Sequence, residues 1–419
     1  MSLEGSRPAK RNGALFITYD GLLDPLGGSQ ILPYLYNIAE HTRPLHVVSF
    51  EKPDRFREEA GTLREELGDK GIHWTPLSFT AGFGMVGKAW DLMKMYGSAL
   101  GLQLRYRFGL AHCRSYQAMQ VGCFLHRLTG VKNIFDMRGL WVDERVEGNL
   151  WPQSKYRYRL LYWYYKRVER RLLECADSVV VLTERVVPEI YKLAPGTNAP
   201  ITVIPCCADF EHFKSLAADE RTSIRSELDI APDTIVLSYL GSLGTIYLLD
   251  DMLRLFKTIA MGRDDVCLLL ITRDWSDAQE ANLVRLEMRD LRDRIYVRAA
   301  SRKEVPKLLG ISDIMLSFRR STYSQMACSP TKLAEAFALG IPAISNSGVG
   351  DVDRITHDLD AGMLIDLEAP NAYRMVSDEL DRISAKGGDR LRRAAHERLG
   401  LENAKHAYRE IYEQLGVQG

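Results

Sequence analysis

The chain has 419 residues, more than one hydrophobic core usually serves, so two domains of roughly 200 residues each are expected. Its 55 basic and 55 acidic residues give a net charge of +0, which argues against a nucleic-acid binder. Seven cysteines without C-x-x-C spacing read as free thiols of a reducing, cytoplasmic setting. No run of about 18 apolar residues predicts a membrane span. The start, MSLEGSRPAKRNG, lacks the apolar core of a signal peptide.

ALFITY (14–19) is the first expected strand. A glycine loop at Pro25-Leu26-Gly27-Gly28-Ser29, a helix over QILPYLYNIAEH and a second strand, HVVSFE (46–51), follow. This strand–loop–helix–strand start implies a parallel sheet. Without G-x-G-x-x-G it does not point to a dinucleotide. Further strands are expected at GLAHCRS (109–115), NIFDMRG (133–139), SVVVLT (178–183) and ITVIPC (201–206). TIVLSYLGSLG (234–244) then starts afresh as strand and glycine loop, with VCLLLIT (266–272), RIYVRAA (294–300), DIMLSF (313–318) and PAISNS (342–347) behind it. The pattern predicts an α/β fold of two doubly wound, Rossmann-like domains, 1–214 and 215–400, facing across a cleft. In such sheets ligands bind beyond the carboxyl ends of the strands. A last helix in 401–419 carries Tyr408, Ile411, Tyr412 and Leu415 at helical spacing.

The stretch 328–347, CSPTKLAEAFALGIPAISNS, carries the most chemistry. Ser329-Pro330-Thr331 opens a helix, and an open helix N-terminus suits a phosphate. Lys332 adds a full charge. Glu335, one turn on, is an acceptor suited to a ribose diol. A K-x-x-E pair alone is a common feature of solvated helix faces.

The whole block, S-P-T-K-L-x-E-A-x-A-x-G-I-P, resembles the donor-binding segment of glycosyltransferase family 4, the retaining nucleotide-sugar enzymes of GT-B fold. ITYDGLLDPLGGSQILPYL, IFDMRGLWVDERVE, ADSVVVLTE, VIPCCADFEHF and SYLGSLGTIYLLDDML extend the likeness over most of the chain. The resemblance implies a hexosyl-type transferase with a UDP- or GDP-sugar donor in the second domain. It implies a glycan, lipid-linked or small-molecule acceptor on the first, cell-envelope polysaccharide as the product class, no cofactor and no metal. No D-x-D stands where a metal–diphosphate bridge needs it, and the nearest, Asp351-Val352-Asp353, reads as a helix cap. Lys332 and Arg138 are the implied catalytic groups. Glu335, Gly27, Gly28, Ser329, Thr331, Arg319, Arg320, Gly241 and Ser242 fall to the donor, and Arg114, Asp143 and Glu144 to the acceptor side. The C-terminal helix is expected to pack back on the first domain.

The chain departs from the family pattern in three motifs, at five positions. Ala327 stands where many members carry a glutamate. Ser242 and Tyr247 replace the arginine and lysine of a phosphate clamp, and Cys206-Cys207 interrupt the usual I-P-N-G. The diphosphate charge then falls to Lys332, the helix N-terminus and Arg319 or Arg320, unless that arginine pair belongs to a solvated loop. Two alternatives stay open: a GT-B-type nucleotide-sugar epimerase, and a non-catalytic relative binding nucleotide sugar or glycan, which Ala327, Ser242 and Tyr247 support. For Arg138, Asp143 and Glu144 the plain alternative is an internal ion-pair cluster. The segment 151–171, WPQSKYRYRLLYWYYKRVERR, interleaves aromatic and basic residues. It suits an anionic membrane surface, or equally a core-packing helix with a charged outer face. Residues 86–107 share this character less strongly.

Overall fold

The computed structural model describes residues 13–417, so the leader reading of residues 1–12 lies outside it. Seven strands form the first sheet: β1 (Ala14–Thr18), β2 (Leu45–Glu51), β3 (Ile72–Ser78), β4 (Leu110–Arg114), β5 (Lys132–Asp136), β6 (Ser178–Val181) and β7 (Ile201–Val203). Six form the second: β8 (Ile235–Leu240), β9 (Val266–Ile271), β10 (Ile295–Arg298), β11 (Ile314–Ser317), β12 (Ala343–Asn346) and β13 (Gly362–Ile365). Their orders are β3-β2-β1-β4-β5-β6-β7 and β10-β9-β8-β11-β12-β13, and the ladders are parallel throughout.

Helices cover both faces of each sheet, so the strands are apolar on both sides. Leu15 and Ile17 of β1 enter one core cluster, while Ala14 and Phe16 enter the opposite one. In β9, Cys267, Leu269 and Ile271 face one way and Val266, Leu268 and Leu270 the other. The sequence pattern overlooked two strands. β3, IHWTPLS, is an edge strand whose Pro76 and partly exposed polar residues break the apolar run. β13 has only four residues and begins with a glycine.

The expected glycine loop at 25–29 is instead a short helix, Pro25–Gln30. Pro25 suits a first helical position. Gly27 is required by contact, because a Cβ there would sit 2.2 Å from the Gly21 carbonyl oxygen. The next helix, Leu32–His41, starts anew with Pro33 in its first turn.

The chain passes between the domains twice. It crosses near Ala208, and again near Gly400 into the helix Leu401–Gln414, which packs on the first domain. The two crossings lie side by side: Ala208 N–H donates to Leu399 O (2.9 Å), and Leu401 N–H donates to Ala208 O (3.0 Å). Tyr408, Ile411 and Tyr412 are buried with Tyr34, Leu35 and Ile38. The Tyr412 hydroxyl lies 2.9 Å from His112 Nδ1 under β4. The C-terminal helix therefore completes the first core. Ile411→Ala should cost about 2–5 kcal/mol, lowering the first domain's unfolding midpoint in urea while the isolated second sheet keeps its own.

Candidate functional site

Both sheets reverse strand order at one place, between β1 and β4 and between β8 and β11. These are the switch points where open α/β sheets bind ligands. Gly27, Gly28 and Arg114 lie past the first, and Gly241, Ser242, Arg319 and Arg320 past the second.

On the first domain, Asp136 is fully buried at the end of β5. Its Oδ2 lies 3.4 Å from Arg114 Nη1 and accepts the Tyr408 hydroxyl at 3.2 Å. Its Oδ1 lies 3.7 Å from Arg138 Nη1. Burial alone would raise this carboxyl, but Arg138, His112 and Arg114 overcome it and hold it down at about 2. Arg138 has a left-handed φ of 60° and turns its guanidinium inward, where Nη2 reaches Gln30 Oε1 and Cys206 Sγ, both at 3.4 Å. Arg114 also pairs with Asp20 (3.6 Å). Arg138 thus falls into an internal charge cluster, its plain alternative, which Arg114 shares, and it supports the helix Pro25–Gln30 from beneath.

Asp143 is similarly occupied. It accepts the Tyr162 hydroxyl at 2.8 Å and the Lys166 ammonium at 2.9 Å, and Lys166 is shared with buried Glu169. Glu144 stays less committed. Burial raises its carboxyl, while Arg145 and, from the other domain, Arg319 pull it back.

On the second domain, the helix Thr331–Ala338 buries Leu333, Ala334, Ala336 and Phe337. No side chain caps its N-terminus. Ser329 Oγ accepts the Cys206 N–H at 3.0 Å, tying this turn to the linker between the domains. Lys332 Nζ lies 3.0 Å from Glu335 Oε2, with the lysine side chain 39% exposed and the glutamate 4%.

Arg319 is buried, with its backbone held by the Asn346 side-chain amide. Its Nε and Nη2 donate to Gln325 Oε1 (3.1 and 2.9 Å), and its guanidinium lies 4.9 Å from the Tyr247 ring centroid. No carboxylate among the described residues forms an ion pair with it. Tyr247, at the clamp-lysine position, thus stacks on a guanidinium delivered from β11. Arg320 is exposed beside it. Gly241 takes φ +145°, and the Ser242 carbonyl accepts the Tyr239 hydroxyl.

Three features escaped the sequence reading. Arg302, past β10, brings its Cδ to 4.0 Å from where a Gly28 Cβ would stand. It feels the charge of Glu335 and has no ion-pair partner among the described residues. Its place after a strand's carboxyl end was the available signal. Glu147 crosses the cleft: its carboxylate accepts the Ser324 N–H (3.1 Å) and both the Thr322 (2.6 Å) and Ser324 hydroxyls. Asp351 does not cap its own helix. It accepts the N–H groups of Glu184 (2.8 Å) and Arg185 (3.2 Å) in the first domain. Ala327 packs into the first domain's core, where a carboxylate would be desolvated.

Residues 33–207 match the glycosyl transferase 4-like domain. The match lies in the first domain, and the two parallel sheets have the GT-B architecture. It is 26% identical over 215 residues to a putative teichuronic acid biosynthesis glycosyltransferase, TuaH, of Bacillus subtilis, covering 51% of this chain and 50% of that one. The chain thus spans about half the length of that curated relative. Anabaena HepE, solved with UDP and glucose, superposes with a TM-score of 0.67 at 14% identity, covering 96% of this chain and 99% of that one. Sucrose-phosphate synthase from Thermosynechococcus elongatus also gives 0.67, at 16% identity and 97% and 99% coverage. These last two likenesses are of fold.

The Asp136 cluster sets an acid limit on stability. A carboxyl held near 2 when folded and near 3.9 when unfolded contributes fully above pH 4, and that contribution is lost as pH falls through 2. Asp136→Asn should cost about 3–5 kcal/mol at pH 7, because two buried guanidinium groups lose their counter-charge. It should also flatten the decline in unfolding free energy between pH 4 and 2, measured by denaturant titration at each pH.

Proposed function

We propose that the chain is a retaining, metal-independent glycosyltransferase that moves a sugar from a nucleoside-diphosphate donor to a glycan or lipid-linked acceptor of the cell-envelope class. One observation carries the reading: Arg319, a buried guanidinium that forms no ion pair among the described residues and feels Glu144 only from the other domain, stands at the switch point of the second sheet, with Lys332 in the first turn of the nearby uncapped helix. A buried cation lacking a counter-charge is costly, and a bound anion relieves that cost. The TuaH relative and the UDP complex of HepE point the same way.

On this reading the diphosphate lies between Arg319, the N–H groups at Ser329–Thr331 and Lys332. Arg320 stands at the rim, and Gly241-Ser242 leave room for close approach of the donor. Glu335 takes the ribose hydroxyls. Gly27 and Gly28 let the first domain's helix end come close to the phosphates, and Arg138 acts as a positioning residue through Gln30. As the bond from the anomeric carbon to the β-phosphate oxygen breaks, negative charge grows on that phosphate, and the cations stabilise it. The acceptor hydroxyl attacks from the same face and passes its proton to the leaving phosphate, which accounts for retention without a protein base. Glu144 and the Asp143 loop form the acceptor wall, and the helix Tyr156–Cys175 provides the membrane-facing side.

Assayed in EDTA, the wild type should retain transfer. Lys332→Ala should lower kcat/KM by about 100-fold or more, as loss of a charge-stabilising donor does. Glu335→Ala should chiefly raise donor KM, the mark of uniform binding. Activity abolished by EDTA and restored by manganese would overturn the metal-free mechanism. Wild-type kinetics in both variants would overturn the donor site.

Arg319→Gln should weaken UDP or GDP binding at least tenfold by isothermal titration, since a charge-assisted contact to phosphate is lost. Unchanged affinity would assign Arg319 to structure alone.

A further inference from the structure

The helix Gly84–Tyr106 has two apolar sides. Met95 and Ala99 point into the first core. On the other side Phe83 (70% exposed), Val86 (75%), Trp90 (54%) and Met93 (59%) follow one another at helical spacing, with Leu104 (63%) further along. From Phe83 to Met93 the stripe runs about 15 Å at 1.5 Å per residue, and after Gly97 and Gly101 Leu104 stands on the same side. Isolated exposed apolar side chains need no explanation, but four in one row mark an interaction surface.

The row does not stand alone. The helix Ser115–Thr129 packs beside it, with Tyr96 edge-on to Phe124 at 5.1 Å, and the helix Tyr156–Cys175 lies next in the layer. Tyr156, Leu160, Trp163 and Tyr164 of that helix are each at least half exposed. Arg167 stacks on Trp163 at 3.5 Å from the ring centroid, which keeps its cationic head at the surface beside an apolar ring.

The charges around these side chains have one sign. Lys88, Arg105, Arg157, Arg159, Arg167 and Arg171 are exposed on the two helices. Of their acids, Asp91 and Glu169 are buried, and Glu174 is paired with Arg170. The whole chain has net charge +0, so this face is basic against a balanced background.

We infer that the helices Gly84–Tyr106 and Tyr156–Cys175 form one plate that docks on an anionic lipid bilayer, with the first helix supplying the inserted apolar row and the second the cations. This rests on the proposed transferase reading only in its choice of a lipid-linked acceptor; the surface stands on its own. A second copy of the chain is a poor occupant, because a two-fold contact would stack cations on cations. A bilayer takes up both parts of the plate. Apolar side chains enter the acyl boundary, and the basic residues meet headgroup phosphates. The plate also borders the cleft. Tyr162 reaches Asp143 at 2.8 Å, and Glu147, at the end of the Asp143 helix, holds the Thr322–Ser324 turn. A lipid-linked acceptor held at the plate lies beside the first domain's cleft wall.

Co-sedimentation with phosphatidylcholine vesicles, with and without phosphatidylglycerol, tests this on the full chain. Binding should require the anionic lipid and weaken with salt. Val86→Glu/Trp90→Glu should reduce partitioning at least tenfold, with unchanged circular dichroism because both side chains face solvent. Arg157→Gln/Arg159→Gln should reduce it about fivefold per removed charge and flatten the salt dependence. Titration of UDP or GDP into the same variants separates the two readings. Vesicle binding lost with nucleotide binding intact supports the plate, and nucleotide binding absent in the wild type removes the transferase reading but leaves the plate. Equal partitioning to neutral vesicles, no vesicle binding, or a dimer that Val86→Glu/Trp90→Glu dissolves would each overturn the inference.

Discussion

The first domain's side of the cleft is organised around one buried carboxylate. Asp136 ends β5 fully buried, so its charge persists because Arg138, His112 and Arg114 surround it. Arg114 and His112 come from β4, Arg138 from the turn after β5, and a further donor, the Tyr408 hydroxyl, from the C-terminal helix. Arg138 carries the arrangement onward to Gln30, and so to the helix whose Gly28 faces Arg302 of the second domain. The charge cluster therefore acts at a distance from the donor by fixing the backbone that approaches it.

The second domain is built on a different balance. Its two key cations have incomplete partners. Lys332 is half of a pair with Glu335, and Arg319 is met by the neutral Gln325 oxygen and by the ring and hydroxyl of Tyr247. Positive charge therefore accumulates where β8 and β11 diverge. The first domain meets this region with Glu147 and Glu144, and the carboxylate of Glu147 is spent on the Thr322–Ser324 turn. One wall is charge-balanced within itself, and the other is left cationic.

Much of this could be read from the sequence, for physical reasons. Parallel strands buried on both faces are unbroken apolar runs, so β1, β8 and β9 stood out, whereas β3 with its proline and β13 with four residues did not. The helix at 331 was legible because Pro330 and the Gly340-Ile341-Pro342 break bracket it. Partners distant in sequence were not legible. Asp351 sits where a helix cap belongs, yet its acceptor role is fixed by N–H groups 167 and 166 residues away. Arg302, facing Gly28 across the cleft, is visible only once the domains are placed together. Asp143 had the composition of a catalytic carboxylate, and only the Tyr162 and Lys166 contacts reveal it as a fastener.

The paired crossings at Ala208 and Gly400 bear on how the cleft works. A single linker would let one domain both bend and spin relative to the other. Two segments hydrogen-bonded to each other behave as a ribbon: bending across its plane is soft, while torsion shears the Ala208–Leu399 and Ala208–Leu401 bonds. Domain motion is thereby funnelled into one opening coordinate. An opening along it would part the Glu147 and Asp351 contacts together and keep the two switch points in line.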